Sequence, residues 1–167
     1  MDRLEELMQL RDRQRTEMKT ARSVVKFKDL QWEINRMGKM KWYLHPNIRD
    51  TAHHAMIHYV IEIPPGSRTG KVQHQGGWTT YIWRGKGYSI ISGKRYDWEA
   101  EDMLFMPVDV DNALVYQHFN TDPEKPALLV IGLPNVLDAL GVDLGHGFEI
   151  LEECPEWKAQ QAQTAKR

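Results

Sequence analysis

The sequence predicts an all-β domain: a small antiparallel β-barrel, with a helix and an arm before it and a short helix after it. Three observations carry this expectation. Apolar residues recur at helical spacing near the N-terminus and switch to strict alternation from Ala55. Short strand-like runs then follow at even intervals between turn signals, the signature of an antiparallel sandwich or barrel. A chain of 167 residues is the size of one domain that can enclose a core without disulfide or metal staples.

Leu4, Leu7 and Leu10 repeat at helical spacing behind Asp2, a residue type that caps helix starts, so a helix is predicted over residues 3–20. Arg11, Arg13 and Arg15 make its remaining surface polar, and the leucine stripe is expected to pack on the chain's own barrel in preference to another subunit. Residues 24–50 scatter Trp32, Met37, Met40, Trp42, Tyr43 and Leu44 among basic residues. So much apolar surface predicts an arm wrapped over the barrel or an interface.

From residue 55, Met56, His58 and Val60 fall on one face of a strand, with Ile57, Tyr59, Ile61 and Ile63 on the other, and Pro64-Pro65-Gly66 stops it. Turns are predicted at Gly76-Gly77, Gly85-Lys86-Gly87, Ser92-Gly93-Lys94 and Thr121-Asp122-Pro123. Residues 127–133 read as a last buried strand ended by Pro134-Asn135, and residues 153–167 as a polar helix frayed from Gln160. The expected organisation is therefore a helix and wrapping arm over 1–50, a barrel over 51–152, and a C-terminal helix and tail over 153–167.

Composition narrows the function classes. Hydrophobic residues at 41% and charged residues at 27% are ordinary for a folded globular chain, and a net charge of −1 provides no field for nucleic acid or an anionic membrane. The mild basic excess of residues 1–50, 12 Lys or Arg against 8 Asp or Glu, reads as a solvated face or a subunit contact. The single cysteine, Cys154, excludes an intrachain disulfide and a thiolate zinc cluster. Glu152, Glu153 and Glu156 around it would raise its pKa and make it a poor nucleophile. No apolar run reaches membrane-spanning length and the first turn is acidic, so a cytoplasmic location is expected. Gly85-Lys86-Gly87 is too short to cradle phosphate, and no Walker loop, Gly-x-Ser-x-Gly elbow or Ser-His-Asp set is present. No nucleotide cofactor is indicated.

Residues 64–120 carry the chemistry. They contain Pro64-Pro65-Gly66, His74, Gly76-Gly77-Trp78, Trp83-Arg84-Gly85-Lys86-Gly87-Tyr88, Tyr96-Asp97-Trp98, Asp102, Pro107 and Tyr116-Gln117-His118-Phe119-Asn120. This resembles the two motifs of the cupin superfamily, and the phrases around Gly85, Tyr96 and Gln117 look most like its gentisate-dioxygenase branch. The resemblance implies a double-stranded β-helix, the jelly-roll cupin barrel, which usually holds one metal ion on three histidines and a glutamate. Gly85, Asp102, Pro107 and Asn120 match. Of the ligand positions only His74 survives: Val72 stands at the first histidine, Gly77 to Thr79 at the glutamate, and Tyr116 at the third histidine, with His118 two residues beyond it.

A ferrous centre of the facial type needs three N or O donors on one side and open positions on the other. Strand positions two apart can supply them, so His74 and His118, joined by Tyr116 or His58, form the candidate metal and catalytic set. Core histidines satisfied by hydrogen bonds are the reading placed ahead of it. Val72, Trp78, His58 and Met106 are candidates for a substrate pocket, with Trp78 set either to plug the lumen or to lie against an aromatic ring. Trp83 and Trp98 are read as packing residues. His45, His53, His54 and His146 are assigned to the surface or to loops.

Three functions follow. In the first, the chain is similar to the metal-poor small subunit of two-component hydroquinone 1,2-dioxygenases, a component of an iron-dependent ring-cleaving enzyme of aromatic catabolism whose Fe(2+) is held by a partner cupin subunit. In the second, it is a self-sufficient dioxygenase using His74, His118 and Tyr116 or His58. In the third, it is a non-catalytic cupin holding a small ligand in its barrel. The partners implied are a small aromatic substrate and another cupin subunit in a homo- or hetero-oligomer, with no nucleic acid and no membrane.

Overall fold

The structure, a computed structural model, describes residues 2–53, 55–109, 112–136 and 149–165. Helix α1 (Arg3–Thr20) begins where expected, because the Asp2 carboxylate accepts the Glu5 backbone N–H at 2.9 Å and Glu5 and Glu6 occupy the positive end of the helix. Its leucine stripe does not pack on the barrel. The helix buries no residue, and Leu4 and Leu7 are 67% and 64% exposed. The stripe is too short to hold the helix down, since Arg11 and Arg15 interrupt that face beyond Leu4, Leu7 and Met8.

Below α1 the chain is clipped to the body. Arg22 donates its N–H to the Asp50 carbonyl at 2.8 Å and accepts from Ala52 at 3.0 Å, and its guanidinium meets the Asp50 carboxylate. A 3-10 turn, Phe27–Asp29, sets Phe27 edge-on against Trp32 and Trp83, at ring separations of 5.8 and 5.4 Å. Lys41 completes the cover by donating to the Phe27 carbonyl at 3.0 Å from above that ring. The rest of the arm is not a strap. Residues 33–44 form β1 (Glu33–Ile34) and β2 (Lys39–Leu44), joined by a turn closed between Asn35 and Gly38, and both are hydrogen-bonded members of a sheet that begins before residue 51.

Nine further strands follow: β3 (Met56–Ile63), β4 (Lys71–His74), β5 (Trp78–Arg84), β6 (Lys86–Ile91), β7 (Lys94–Glu99), β8 (Met103–Met106), β9 (Leu114–Asn120), β10 (Ala127–Pro134) and β11 (Glu149–Glu152). They make a six-stranded sheet in the order β1-β2-β3-β10-β5-β8 and a five-stranded sheet in the order β11-β4-β9-β6-β7, with every named pairing antiparallel. β10 is buried as predicted but is not the last strand. β11 adds to the edge of the second sheet beside β4, and its half-buried, partly acidic pattern hid it. Helix α2 (Pro155–Thr164) starts on a proline, which suits a first turn that lacks intrahelical donors to lose.

Period-two alternation decides what enters the space between the sheets. Ile57, Tyr59, Ile61 and Ile63 on β3 are all buried and join one core with Ile82, Leu104, Leu129, Ile131 and Leu133. The chain changes sheets at Gly85, between β5 and β6, with φ of +96° and no room for a side chain: a Cβ there would lie 2.7 Å from both Cα and Cβ of Ala127. Ser92 and Gly93, both at positive φ, form the two-residue loop of the β6–β7 hairpin, as twisted strands require. Asn120 closes another corner, with Nδ2 within 3.0, 3.1 and 2.8 Å of the Ile63, Pro64 and Lys125 carbonyls and Oδ1 accepting from Asp122 N–H. The Asp102 carboxylate likewise accepts the Glu99 N–H in the β7–β8 turn. β7 and β8 are each the last strand of their sheet at this end.

Gly85→Ala is expected to lower unfolding free energy by about 3 kcal/mol, from a strained φ and the clash with Ala127. Gly66→Ala, at φ of +64° with open space around it, should cost only about 1 kcal/mol. Urea denaturation of the two variants measures the difference.

Candidate functional site

The lumen is filled by side chains from both sheets. Trp78 at the start of β5 is 5% exposed and lies edge-on to His74, at 4.7 Å between ring centres, and to Tyr116 at 5.3 Å. Tyr116 in turn meets His118 at 5.4 Å, so four rings run in sequence from His74 to His118. Val72, paired across the ladder with Tyr116, and Met106, paired with Trp78, are buried at 1% and 2% exposure and pack in the same core. The space left between Met37, Tyr59, Val72, Tyr116 and His118 is about 10 Å3, the room of one water molecule at most. Trp78 is therefore the plug, and Val72 and Met106 are lining without a pocket.

The two histidines do not converge. His74 pairs with Leu114, and His118 lies four residues further along β9, so their backbones are separated by roughly 13 Å along the strand direction. Metal–imidazole bonds are about 2 Å long, and side chains on one sheet face stand side by side rather than reaching toward each other. Each is also engaged. His74 Nδ1 accepts the Gly76 N–H at 3.1 Å, while His118 Nδ1 is hydrogen-bonded to Ser89 Oγ at 2.6 Å. Trp98 Nε1–H donates to the same Ser89 oxygen at 2.9 Å, and Thr69 Oγ1 accepts the His118 backbone N–H.

Electrostatics agree with the geometry. Full burial pushes the His118 pKa down to about 4, so the imidazole is neutral inside the barrel. Burial drives Tyr116 far upward, reinforced by the neighbouring Tyr59 phenol, and raises Tyr59 as well. The two hydroxyls are close enough to influence each other yet outside ordinary hydrogen-bond geometry, and the Tyr116 hydroxyl is left without a partner. A tyrosine ligates well as phenolate, which this setting opposes.

His58 stands on the other face of β3 from Tyr59 and is not in the lumen. It lies against the bare backbone of Gly132 on β10 and meets Tyr43 at 5.7 Å, in a trough on the outside of the six-stranded sheet. Partial burial lowers its pKa. Among the described residues no cluster of three His, Cys, Asp or Glu is arranged to hold a metal ion. The donors among the described residues do not fit a mononuclear centre. His54 and His146 lie outside the described residues. Cys154 is buried, donates to the Asn35 carbonyl at 3.3 Å, and has its thiol pKa raised by burial and then by Glu156.

Sequence reasoning missed Ser89, which the inward alternation of β6 places beside His118, and Tyr59, whose phenol faces Tyr116. It also missed the outer trough formed by Tyr43, Tyr81, Trp83 and Val130 with His58. The alternation of β5 was a signal for the trough, because Tyr81 and Trp83 share its outward face.

No protein-family model and no curated protein matches this chain. Solved structures do. A cupin-like protein from Thermotoga maritima shares 19% identity at a TM-score of 0.50, covering 79% of this chain and 86% of that one. A predicted oxalate decarboxylase from Thermotoga maritima shares 23% at 0.52, over 66% of this chain and 97% of that one. The polyketide cyclase RemF from Streptomyces resistomycificus shares 14% at 0.54, over 68% and 79%. At these identities the likeness establishes the fold: a jelly-roll cupin barrel with terminal helices. No helix among the described residues is long and apolar enough to cross a membrane.

Two outcomes follow. As pH falls from 6.5 toward 4 the unfolded chain protonates before His118 does, so stability is retained above 6.5 and drops by on the order of 3 kcal/mol across that window. His118→Gln should flatten the slope of unfolding free energy against pH, measured in urea at each pH. Trp78→Ala should cost about 3–5 kcal/mol in the same assay by leaving a cavity at the centre of the barrel.

Proposed function

From a cupin fold whose lumen is closed, we propose that this chain is a metal-poor component of an iron-dependent, ring-cleaving dioxygenase of the hydroquinone or gentisate type, acting beside a second cupin chain that holds the Fe(2+). The resemblance of residues 64–120 to the gentisate-dioxygenase branch supplies the substrate class, a dihydroxylated aromatic ring. The observation that carries the reading is the plugged barrel. Trp78, Val72 and Tyr116 occupy the positions that the resemblance assigns to ligands, and the space between Val72, Tyr116 and His118 is about 10 Å3.

The same observation weighs against the alternatives. A self-sufficient enzyme needs His74 and His118 at one ion, and they stand at opposite ends of a row of rings. A ligand carrier needs an interior that admits an aromatic molecule, for which a few hundred Å3 is typical. In the proposed role the barrel of this chain is a rigid body: its neutral histidines and buried phenols hold the packing, and its surface meets the catalytic chain.

The test is to purify the chain by itself, load it anaerobically with ferrous iron, and measure bound iron and oxygen uptake with hydroquinone or gentisate. Expected are substoichiometric iron and no uptake, with uptake appearing when a metal-bearing partner chain is co-expressed. Stoichiometric iron with turnover by the isolated chain would reject the proposal, as would a failure of any co-expressed cupin chain to associate with it.

A further inference from the structure

The void of about 10 Å3 between the sheets is the size of a single water molecule, and its walls are of two kinds. Ile61 and Ile131 contribute hydrocarbon, while Tyr59, Tyr116, His118 and Thr69 bring polar groups, and all six residues are buried. Thr69 is already committed. Its hydroxyl donates to the Gly70 carbonyl at 2.9 Å and accepts the His118 backbone N–H at 3.0 Å. The Tyr116 hydroxyl has no partner, and the Tyr59 hydroxyl lies near it without meeting it. A buried hydroxyl left unpaired forfeits the bonds it made with water in the unfolded chain.

The bonds around Ser89 decide which nitrogen of His118 carries the hydrogen. An indole N–H can only donate, so Trp98 Nε1, 2.9 Å from Ser89 Oγ, uses a lone pair of that oxygen. The serine O–H then needs an acceptor, and the structure gives it His118 Nδ1 at 2.6 Å. The reverse arrangement, with Nδ1–H donating, would leave a buried serine hydrogen with nothing to bond. Nδ1 therefore accepts, and the neutral imidazole carries its hydrogen on Nε2. That Nε2–H makes no hydrogen bond among the described residues.

An unpaired donor and an unpaired hydroxyl thus belong to residues that line the same void. Dry cavities in proteins have apolar walls, whereas those with two to four polar partners hold water. Burial keeps Tyr116 protonated and His118 uncharged, so the walls offer no charge to an ion.

We propose that one water molecule is bound at this point inside the barrel, accepting the His118 Nε2–H and hydrogen-bonded to the Tyr116 hydroxyl, with the Tyr59 hydroxyl as its third partner. Three partners is the usual number for a buried water. The water extends the bonded series from Trp98 through Ser89 and His118 to Tyr59 on β3, so the two sheets are joined by hydrogen bonds as well as by packing. The site lies wholly within this chain and is independent of any catalytic partner.

A high-resolution crystal structure of the full chain tests it. Expected is one solvent peak about 2.7–3.2 Å from His118 Nε2 and from the Tyr116 oxygen. An empty void, a direct bond from Tyr116 to His118 or Tyr59, or a peak at the roughly 2 Å of a metal bond overturns the proposal. Long-range nitrogen–proton correlation spectra check the tautomer separately: the hydrogen should reside on Nε2, and a hydrogen on Nδ1 overturns it. In magnetic relaxation dispersion, Tyr116→Phe should shorten the residence time of one internal water at least about tenfold, as expected for one lost hydrogen bond. A folded Tyr116→Phe with the wild-type residence time sinks the idea; if that variant does not fold, the wild-type crystal structure and spectra decide.

Discussion

The barrel depends on keeping the space between its two sheets closed to water. Trp78 does most of this, since one indole fills the space between His74 and Tyr116, and Val72 and Tyr116 close the remainder from the facing sheet. Burial of apolar surface on that scale is the main driving force of a fold this size. The polar groups trapped with it are tolerated because they are neutral. His118 is bonded to Ser89, which is held in turn by Trp98, and His74 accepts from a backbone N–H at the Gly76 corner.

That arrangement explains how the barrel keeps polar rings in its interior. Buried imidazoles and phenols must be held by ring contacts and hydrogen bonds. Here the edge-on rings from His74 to His118 provide the contacts, and Thr69, Ser89 and Gly76 provide the bonds. Interior geometry is thus fixed by packing and hydrogen bonds.

The fold was legible in the sequence because the residues that specify it act on the backbone. Gly85 permits the crossing between sheets, Asp102 caps a turn, and Asn120 gathers carbonyls at a corner, all independently of what fills the lumen. The site was legible only in part. Alternation correctly separates His58 from Tyr59, but the distance between His74 and His118 depends on the pairing of Val72 with Tyr116, which belongs to tertiary structure. The fate of the leucine stripe was equally hidden, because spacing shows that a face is apolar without showing what covers it. β11 escaped notice because a short, half-buried edge strand has too little hydrophobic pattern to stand out.

Two of the edge strands, β7 and β8, differ in a way that bears on handling of the protein. β7 alternates Lys94, Arg95, Asp97 and Glu99 along its length, so a foreign strand approaching it meets charge of both signs and gains little. β8, only Met103–Met106, is uncharged and ends at Pro107. Its brevity and the proline limit the ladder it can offer, yet its exposed Met103 and Phe105 make it the more adhesive of these two edges. Poor solubility of a truncated or overexpressed form would then be a property of four residues at one rim of the barrel, correctable by a single lysine at an outward position.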